Sequence, residues 1–395
     1  MVFRGLRGDG RGWTLLAIAS GWVFVLGGRF LVPAVLPQVK DTFAVSDVGA
    51  GVAITIIWAT YGLMQTPAGL LVDRIGERKL LAGSVVLTAT SVVVIGAAPA
   101  FAAFLVGCAG FGLATGLYGP ARGTALSRAF PDHDGAAIGA TLAAGSVGSA
   151  VLPLAAGSLV GEISWRLLVG GLAVPLVGLG VVIWATVPSF GNGDGATSDD
   201  GTSTNIPVGD VLAAIRTRQV AVALTALTLM TFVFQGVSAF YVTYLSSVTG
   251  FAQSTAAAMF ALVFVGGAVA QVAAGSLADA VGDRPVLVAV SAATIPVLVA
   301  IPTVDSVIGV AAASLLLGIR LGVPAVSNAY IIAILPESVT GTAWGVLRTT
   351  SFMLAATGST VVGVMADNDL FDEAFFLLAG VTALGTLLYT RLPDR

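Results

Sequence analysis

The chain has one cysteine, Cys108, one histidine, His133, and few charged side chains among its 395 residues. A single cysteine excludes an intramolecular disulfide and a cysteine-based metal site, and a single histidine excludes a histidine cluster. The sequence also contains nothing that resembles a nucleophile–base pair or a phosphate-binding loop. We therefore predict no metal, no cofactor, no enzymatic activity and no nucleic-acid partner.

Charged residues make up only 10% of the chain and apolar residues 56%, with a mean hydropathy of +0.97. Soluble domains carry about 25% charge, so this composition excludes an ordinary soluble protein. Apolar runs of about eighteen residues or more predict helices that cross a membrane. Twelve such stretches occur, at about 13–37, 48–71, 80–99, 101–127, 136–160, 165–187, 219–246, 253–277, 285–304, 307–334, 342–366 and 371–390.

The basic residues predict the orientation of these spans. If the N-terminus is inside, Arg4, Arg7 and Arg11 precede the first span on the cytoplasmic side, whereas only Lys40 and Arg166 lie outside. Loops rich in lysine and arginine stay in the cytoplasm. We therefore expect a multi-pass protein of the plasma membrane, surrounded by the lipid bilayer, with both termini cytoplasmic.

One loop pattern occurs twice, at a constant offset of 206 residues. Residues 69–79, GLLVDRIGERK, form the first motif loop, and residues 275–284, GSLADAVGDR, form the second. A constant offset over half the chain indicates an internal duplication. The polar, glycine-rich stretch within 188–218 is a predicted flexible cytoplasmic linker. We therefore predict six-helix bundles at 1–187 and 219–395.

Both motif loops resemble the signature G-x-L-x-D-R-x-G-x-R-R/K of the major facilitator superfamily. The resemblance implies an all-α membrane protein of twelve transmembrane helices in two pseudo-symmetric six-helix bundles. It also implies alternating access around a site near mid-membrane and a gating role for the motif. The corresponding residues are Gly69, Asp73, Arg74, Gly76, Arg78 and Lys79 in the first copy and Gly275, Asp279, Gly282 and Arg284 in the second.

Two departures from the family pattern weigh against drug–proton antiport. Val106 stands where we align an arginine of the fourth helix that the resemblance links to proton coupling. In the fifth helix, the antiporter motif ends in Gly-Pro-x-x-Gly-Gly. Here Gly145, Gly148, Pro153 and Gly157 remain, but Leu152 precedes the proline.

Four arginines and no acidic residue lie inside the apolar stretches: Arg29, Arg122, Arg320 and Arg348. A charge within a membrane span is costly and usually faces the protein interior with a partner. With no buried carboxylate available, the counter-charge of Arg320 is predicted to be the solute. Arg29 corresponds to Gln235 at the 206-residue offset, so we expect the two to face each other across the pseudo-two-fold axis. Snorkelling or binding to helix carbonyls is the alternative for both arginines.

The remaining candidates are weaker on sequence alone. Trp58, Tyr61, Tyr241 and Asn328 are predicted to line a cavity, although aromatic residues in spans more often pack or anchor. Arg122 and Arg348 lie near the cytoplasmic surface, as gate or cavity charges or as snorkelling side chains.

We predict a secondary active or facilitative transporter that binds a small anionic solute through intramembrane arginines. The alternative is a proton-coupled exporter of hydrophobic compounds, favoured by the glycine–proline remnant in the fifth span. A membrane receptor would normally bring a larger soluble domain than the linker offers. Nothing in the sequence indicates an oligomer, so we expect a monomer.

Overall fold

The computed structural model describes residues 11–189, 215–336 and 340–394, and every regular element in these residues is a helix. Eleven helices among them are long and apolar enough to cross a membrane. The pair Asp47–Leu63 and Gln65–Ile75, bent by 45°, forms a twelfth span. The prediction of an all-helical membrane protein with twelve spans is confirmed. Residues 190–214 of the predicted linker, together with Arg4 and Arg7, lie outside the described residues.

We number the spans 1 to 12 in chain order, with span 2 being the bent pair. The others are Arg11–Ala34, Glu77–Ala97, Phe101–Ala129, Asp134–Leu159, Trp165–Thr186, Arg218–Ser247, Gln253–Val281, Asp283–Thr303, Val307–Ile334, Thr340–Ala366 and Phe371–Tyr389. Span 6 is made of two helices, Trp165–Gly170 and Ala173–Thr186, and span 10 is interrupted by a 3₁₀ turn, Gly318–Leu321. The helix Leu36–Phe43 follows span 1 and is too short to be a span.

The described residues form two compact units. The first contains residues 11–32, 56–152 and 159–189. The second contains residues 215–336 and 340–394, together with residues 33–55 and 153–158 from earlier in the chain. Parts of spans 2 and 5 therefore belong to the same compact unit as spans 7 to 12. The division of the chain at the linker into two six-helix bundles stays a prediction.

The duplication is visible as matching helix contacts. A Cβ on Gly112 would lie 2.3 Å from the carbonyl oxygen of Ile57, and a Cβ on Gly318 would lie 2.4 Å from that of Val263. Both members of the second pair follow those of the first by 206 residues. In each unit a glycine therefore lets one helix backbone touch another, the usual role of small residues between helices in lipid.

A second pair of contacts repeats one turn further along the same helices. A Cβ on Gly116 would approach the Cβ of Met64 to 2.6 Å, and a Cβ on Gly322 would lie 3.1 Å from the carbonyl oxygen of Ala270. These residues again differ by 206 positions. The packing of span 4 on span 2 is thus repeated in that of span 10 on span 8.

The motif glycines Gly76 and Gly282 have a backbone conformation that other residues rarely adopt. Their dihedral angles are φ 81° and ψ 157° for Gly76, and φ 92° and ψ 159° for Gly282. This region is essentially restricted to glycine because a Cβ would clash with the backbone. Each glycine ends one helix and begins the next, which explains why both copies of the motif retain it.

We expect Gly318→Ala to destabilise the protein by about 1–3 kcal/mol, because its Cβ would meet backbone atoms that cannot move aside cheaply. The nearest are the carbonyl oxygen of Val263 at 2.4 Å and the amide nitrogen of Gly267 at 2.5 Å. The matched control is Gly275→Ala, whose Cβ would meet no described atom within 4 Å outside the backbone of its own helix. Thermal unfolding in detergent should show a lower midpoint for the first variant only, and equal midpoints would contradict the close contact.

Candidate functional site

In the first unit, Arg29 lies inside a cluster of aromatic rings. Its side chain is 1% exposed, and its guanidinium carbon is 3.7 Å from the ring centre of Tyr61, 5.3 Å from Trp58 and 5.8 Å from Trp22. Nη2 of Arg29 donates to the carbonyl oxygen of Thr115 at 3.4 Å. Three predicted site residues, Arg29, Trp58 and Tyr61, are therefore brought together.

Helical periodicity explains how this cluster assembles. Trp58 and Tyr61 are three residues apart on span 2, so they share a face, and their rings make an edge contact at 5.8 Å. Trp22 precedes Arg29 by seven residues on span 1, which also places the two on one face. Sequence reasoning missed Trp22, although its spacing from Arg29 could have indicated it. Stacking on rings holds a guanidinium in a defined plane without neutralising its charge.

In the second unit, Arg320 is a buried cation whose partners are neutral. It belongs to the 3₁₀ turn within span 10 and is 5% exposed. Its guanidinium donates to the carbonyl oxygen of Met230 and lies 4.9 Å from the ring centre of Phe234. No carboxylate among the described residues forms an ion pair with Arg320. The Met230 carbonyl and the Phe234 ring thus stabilise part of the positive charge of Arg320.

Gln235 follows Phe234 on span 7 and is completely buried. Neither its amide oxygen nor its amide nitrogen has a hydrogen-bond partner among the described residues. Buried side-chain amides are almost always satisfied, so an unsatisfied one needs an explanation, such as a water or a bound solute. That Gln235 faces Arg29 stays a prediction.

The other two predicted cavity residues differ in their surroundings. The hydroxyl of Tyr241 shares a 2.7 Å hydrogen bond with that of Ser314, and its ring packs against Phe260 and Phe375. Asn328 is half-buried on span 10, eight residues after Arg320, and its side chain makes no hydrogen bond to a described residue. Tyr241 therefore packs within its unit, and its role in lining a cavity stays a prediction, as does that of Asn328.

The first motif loop combines exposed charges with one ion pair whose carboxylate is buried. Asp73, Arg74 and Lys79 are exposed. The carboxylate of Glu77 is only 1% exposed, and its Oε1 lies 2.9 Å from Nη1 of Arg128 at the end of span 4. Glu77 is therefore held within the unit, whereas Asp73, Arg74 and Lys79 of the same loop are exposed.

The burial of Glu77 corrects the expectation that no buried carboxylate is available. Glu77 is the first residue of span 3, a position where sequence alone places an acid at the membrane surface. Its burial depends on Arg128, which is 51 positions later in the chain. The following residue, Arg78, places its guanidinium 4.8 Å from the ring centre of Trp184 in span 6. The first motif loop thus contacts spans 4 and 6.

The second motif loop has different partners. Asp279 is exposed, and Arg284 pairs with Asp394, with Nη1 and Oδ2 2.8 Å apart. The positions that correspond to Glu77 and Arg128 are Asp283 and Ile334, and the isoleucine cannot form the equivalent ion pair with Asp283. The two copies share their glycine turn and differ in their electrostatics.

Arg122 and Arg348 are both partly buried next to aromatic rings. The guanidinium of Arg122 lies 4.6 Å from the ring centre of Trp22, and that of Arg348 lies 5.7 Å from the ring centre of Phe352. Trp22 thus touches both Arg29 and Arg122, which extends the aromatic cluster along span 1.

Comparison with known families and structures gives consistent results. The profile described as Major Facilitator Superfamily matches residues 18–323 and 242–395. A bacterial homologue of the human lysosomal transporter Spinster, solved inward-facing and unoccupied, is similar with a TM-score of 0.79 and 17% identity, over 97% of this chain and 96% of that one. A variant of the nucleoside transporter NupG is similar with a TM-score of 0.79 and 13% identity, over 96% and 98%. Curated protein sequences gave no significant match.

Proposed function

The chain belongs to the major facilitator superfamily, and we propose that it moves a small anionic solute across the plasma membrane by alternating access. The proposed transporter works as a monomer with both termini in the cytoplasm. Arg320 and Arg29 supply the positive charge that recognises the solute. The membrane potential acts on any net charge moved, at about 2.3 kcal/mol per charge per 100 mV.

The observation that carries the proposal is Arg320. It is a cation at 5% exposure inside a membrane span, and no described carboxylate compensates its charge. An uncompensated charge in a span is costly, and such residues are functional sites by default. The planar guanidinium suits two parallel hydrogen bonds to carboxylate, nitrate or phosphate oxygens.

Gln235 and the aromatic cluster add to this proposal. The unsatisfied amide of Gln235 offers both a donor and an acceptor to a polar solute. In the first unit, the rings of Tyr61 and Trp58 position the Arg29 guanidinium. Because stacking orients the cation and leaves it charged, Arg29 can contribute to binding an anion.

One observation favours the second candidate function, proton-coupled export of hydrophobic compounds. Glu77 is a buried carboxylate at one end of a span, and acidic residues within spans often mark proton pathways. Glu77 is the first residue of span 3 and does not lie at its centre, so we prefer the first function. Uptake experiments in proteoliposomes separate the two.

The test uses lactate, citrate, nitrate and inorganic phosphate as probe anions and tetraphenylphosphonium as a probe lipophilic cation. Our proposal predicts that at least one anion is taken up without an imposed pH gradient and that tetraphenylphosphonium is not transported. Transport of tetraphenylphosphonium that requires a pH gradient, with no anion transported, would support the exporter instead.

The asymmetry of the motif loops predicts unequal roles for their carboxylates. In the proposed gate, the first motif loop has the greater effect on the transport rate because it retains Arg74, Arg78 and Lys79. The second motif loop has Ala280 in place of the first of these arginines. We expect Asp73→Asn to reduce the transport rate about tenfold and Asp279→Asn to reduce it less than threefold. Rates normalised to the amount of reconstituted protein give the comparison, and equal effects would contradict this assignment.

A further inference from the structure

A carboxylate from the loop between spans 11 and 12 caps the N-terminus of span 2. Oδ1 of Asp367 accepts a hydrogen bond from the N–H of Asp47 at 2.7 Å, and Oδ2 accepts one from the N–H of Val48 at 3.0 Å. The first N–H groups of a helix have no partner inside it and form the positive end of its dipole. The Asp367 carboxylate accepts hydrogen bonds from two of these N–H groups, and its negative charge lies at the positive end of the dipole. We call this contact the Asp367 cap.

The cap joins parts of the chain that the duplication assigns to different halves. Asp47 and Asp367 are 320 residues apart in sequence and belong to the same compact unit. Because successive spans alternate in direction, these two loops lie on the membrane side opposite the motif loops. The basic residues predict that this is the outer side.

Close backbone packing continues below the cap. A Cβ on Gly51 would lie 2.6 Å from the carbonyl oxygen of Ser359, and a Cβ on Gly363 would lie 2.4 Å from that of Asp47. One turn further, the hydroxyls of Thr55 and Ser359 are 2.9 Å apart. The first turns of span 2 thus lie directly on span 11, and the cap closes the end of this contact.

The equivalent contact by pseudo-symmetry is neutral. At the 206-residue offset, Asp367 corresponds to Gly161 and Asp47 corresponds to Gln253. The side chain of Gln253 instead donates from Nε2 to the carbonyl oxygen of Ala34 at 2.7 Å and bonds to the side chain of Gln38. Of these two related contacts, only the Asp367 cap contains a carboxylate.

Several neighbours keep the Asp367 carboxylate charged. Burial alone would raise its pKa. Hydrogen bonds from the Ser46 hydroxyl and from the N–H groups of Val48 and Asp47, with the charge of Lys40, outweigh burial and lower the pKa below its ordinary value. Lys40 itself pairs with the Asp47 side chain at 2.6 Å. Because the pKa is lowered, the cap persists at neutral pH and is lost only as the pH falls through that lowered value.

We propose that the Asp367 cap is a latch that holds spans 2 and 11 together on this side of the membrane and that it breaks and re-forms in each transport cycle. The inference rests on the alternating-access transport proposed above. A charged, bidentate contact at a helix terminus is strong enough to bias one conformation, and its two hydrogen bonds can be lost together when the helices separate.

The test measures the distance between spin labels at Asp41→Cys and Glu373→Cys, both exposed positions, in a Cys108→Ala background. Removal of the cap by Asp367→Ala should raise the ratio of the long-distance to the short-distance population about tenfold, the factor expected from losing charge-assisted hydrogen bonds. Asp367→Asn retains one acceptor oxygen and should give a smaller rise, about threefold.

Asp369→Asn is the matched control, since it neutralises an exposed carboxylate of the same loop that makes no hydrogen bond to span 2. An unchanged distance distribution in Asp367→Ala, or an equal shift in Asp369→Asn, would overturn the latch. If the alanine variant does not fold, an unchanged distribution in Asp367→Asn overturns it as well. The distances are recorded without solute, so a failure to find a transported anion does not affect this result.

Discussion

Arg320→Gln is expected to reduce anion transport about 100-fold while leaving the thermal stability unchanged or raised. The loss follows from removing a charge-assisted, two-point contact with the solute, and about 2.7 kcal/mol corresponds to this factor. The stability should not fall, because the substitution removes a charge that no described carboxylate compensates. Glutamine still offers a donor to the Met230 carbonyl oxygen. Uptake rates and unfolding midpoints of the same reconstituted preparation give both quantities.

Arg320→Lys is the informative companion variant. It retains the positive charge but lacks the planar fork of two parallel donors. We expect it to keep a measurable fraction of transport with weaker discrimination between carboxylate and monatomic anions. The opposite pattern, in which Arg320→Gln unfolds at a clearly lower temperature and transports anions normally, would make Arg320 a structural donor to Met230 and nothing more.

Arg128→Ala is expected to destabilise the protein by about 3 kcal/mol, since it leaves the Glu77 carboxylate buried without its cation. The side chain of Glu77 is 1% exposed, whereas that of Arg128 is 33% exposed. Glu77→Gln should therefore cost less than about 1 kcal/mol, because Arg128 can reach water. Arg128→Ala is expected to destabilise the protein more than Glu77→Gln because the Glu77 side chain is more deeply buried than that of Arg128. The strength of the ion pair itself does not set this difference.

A double-mutant cycle checks this interpretation. The combination Glu77→Gln with Arg128→Ala should recover most of the stability lost in Arg128→Ala alone, as measured by denaturant or thermal unfolding in detergent. Additive losses would mean that Arg128 stabilises the protein through contacts other than Glu77. They would also remove the main reason to regard the first motif loop as anchored within its unit.

The helical architecture could be predicted from sequence because its determinants are local and repeated. Apolar length alone located twelve spans, and the constant 206-residue offset places Gly112 and Gly318 at equivalent positions. Their contacts with Ile57 and Val263 repeat at that same offset. The turns at Gly76 and Gly282 also have a determinant in the sequence. Their backbone conformation requires glycine, and both motif loops have glycine at this position.

The contacts of individual side chains could not be predicted in the same way. Glu77 is buried because Arg128 meets it, and the Asp367 carboxylate caps span 2 because two distant loops converge. Both depend on how helices rotate and pack, which periodicity does not specify. Trp22 was missed beside Arg29 for a different reason: an aromatic residue at seven-residue spacing is common in spans, so its signal was weak.

The most direct test of the central claim is anion uptake into proteoliposomes by the wild-type protein, by Arg320→Gln and by Arg29→Gln, with matched protein amounts and no imposed pH gradient. Recognition of the solute by intramembrane arginines predicts that at least one of lactate, citrate, nitrate and phosphate enters with the wild type and that both variants lose most of this uptake. Uptake of the same anion at the wild-type rate by both variants would contradict the account.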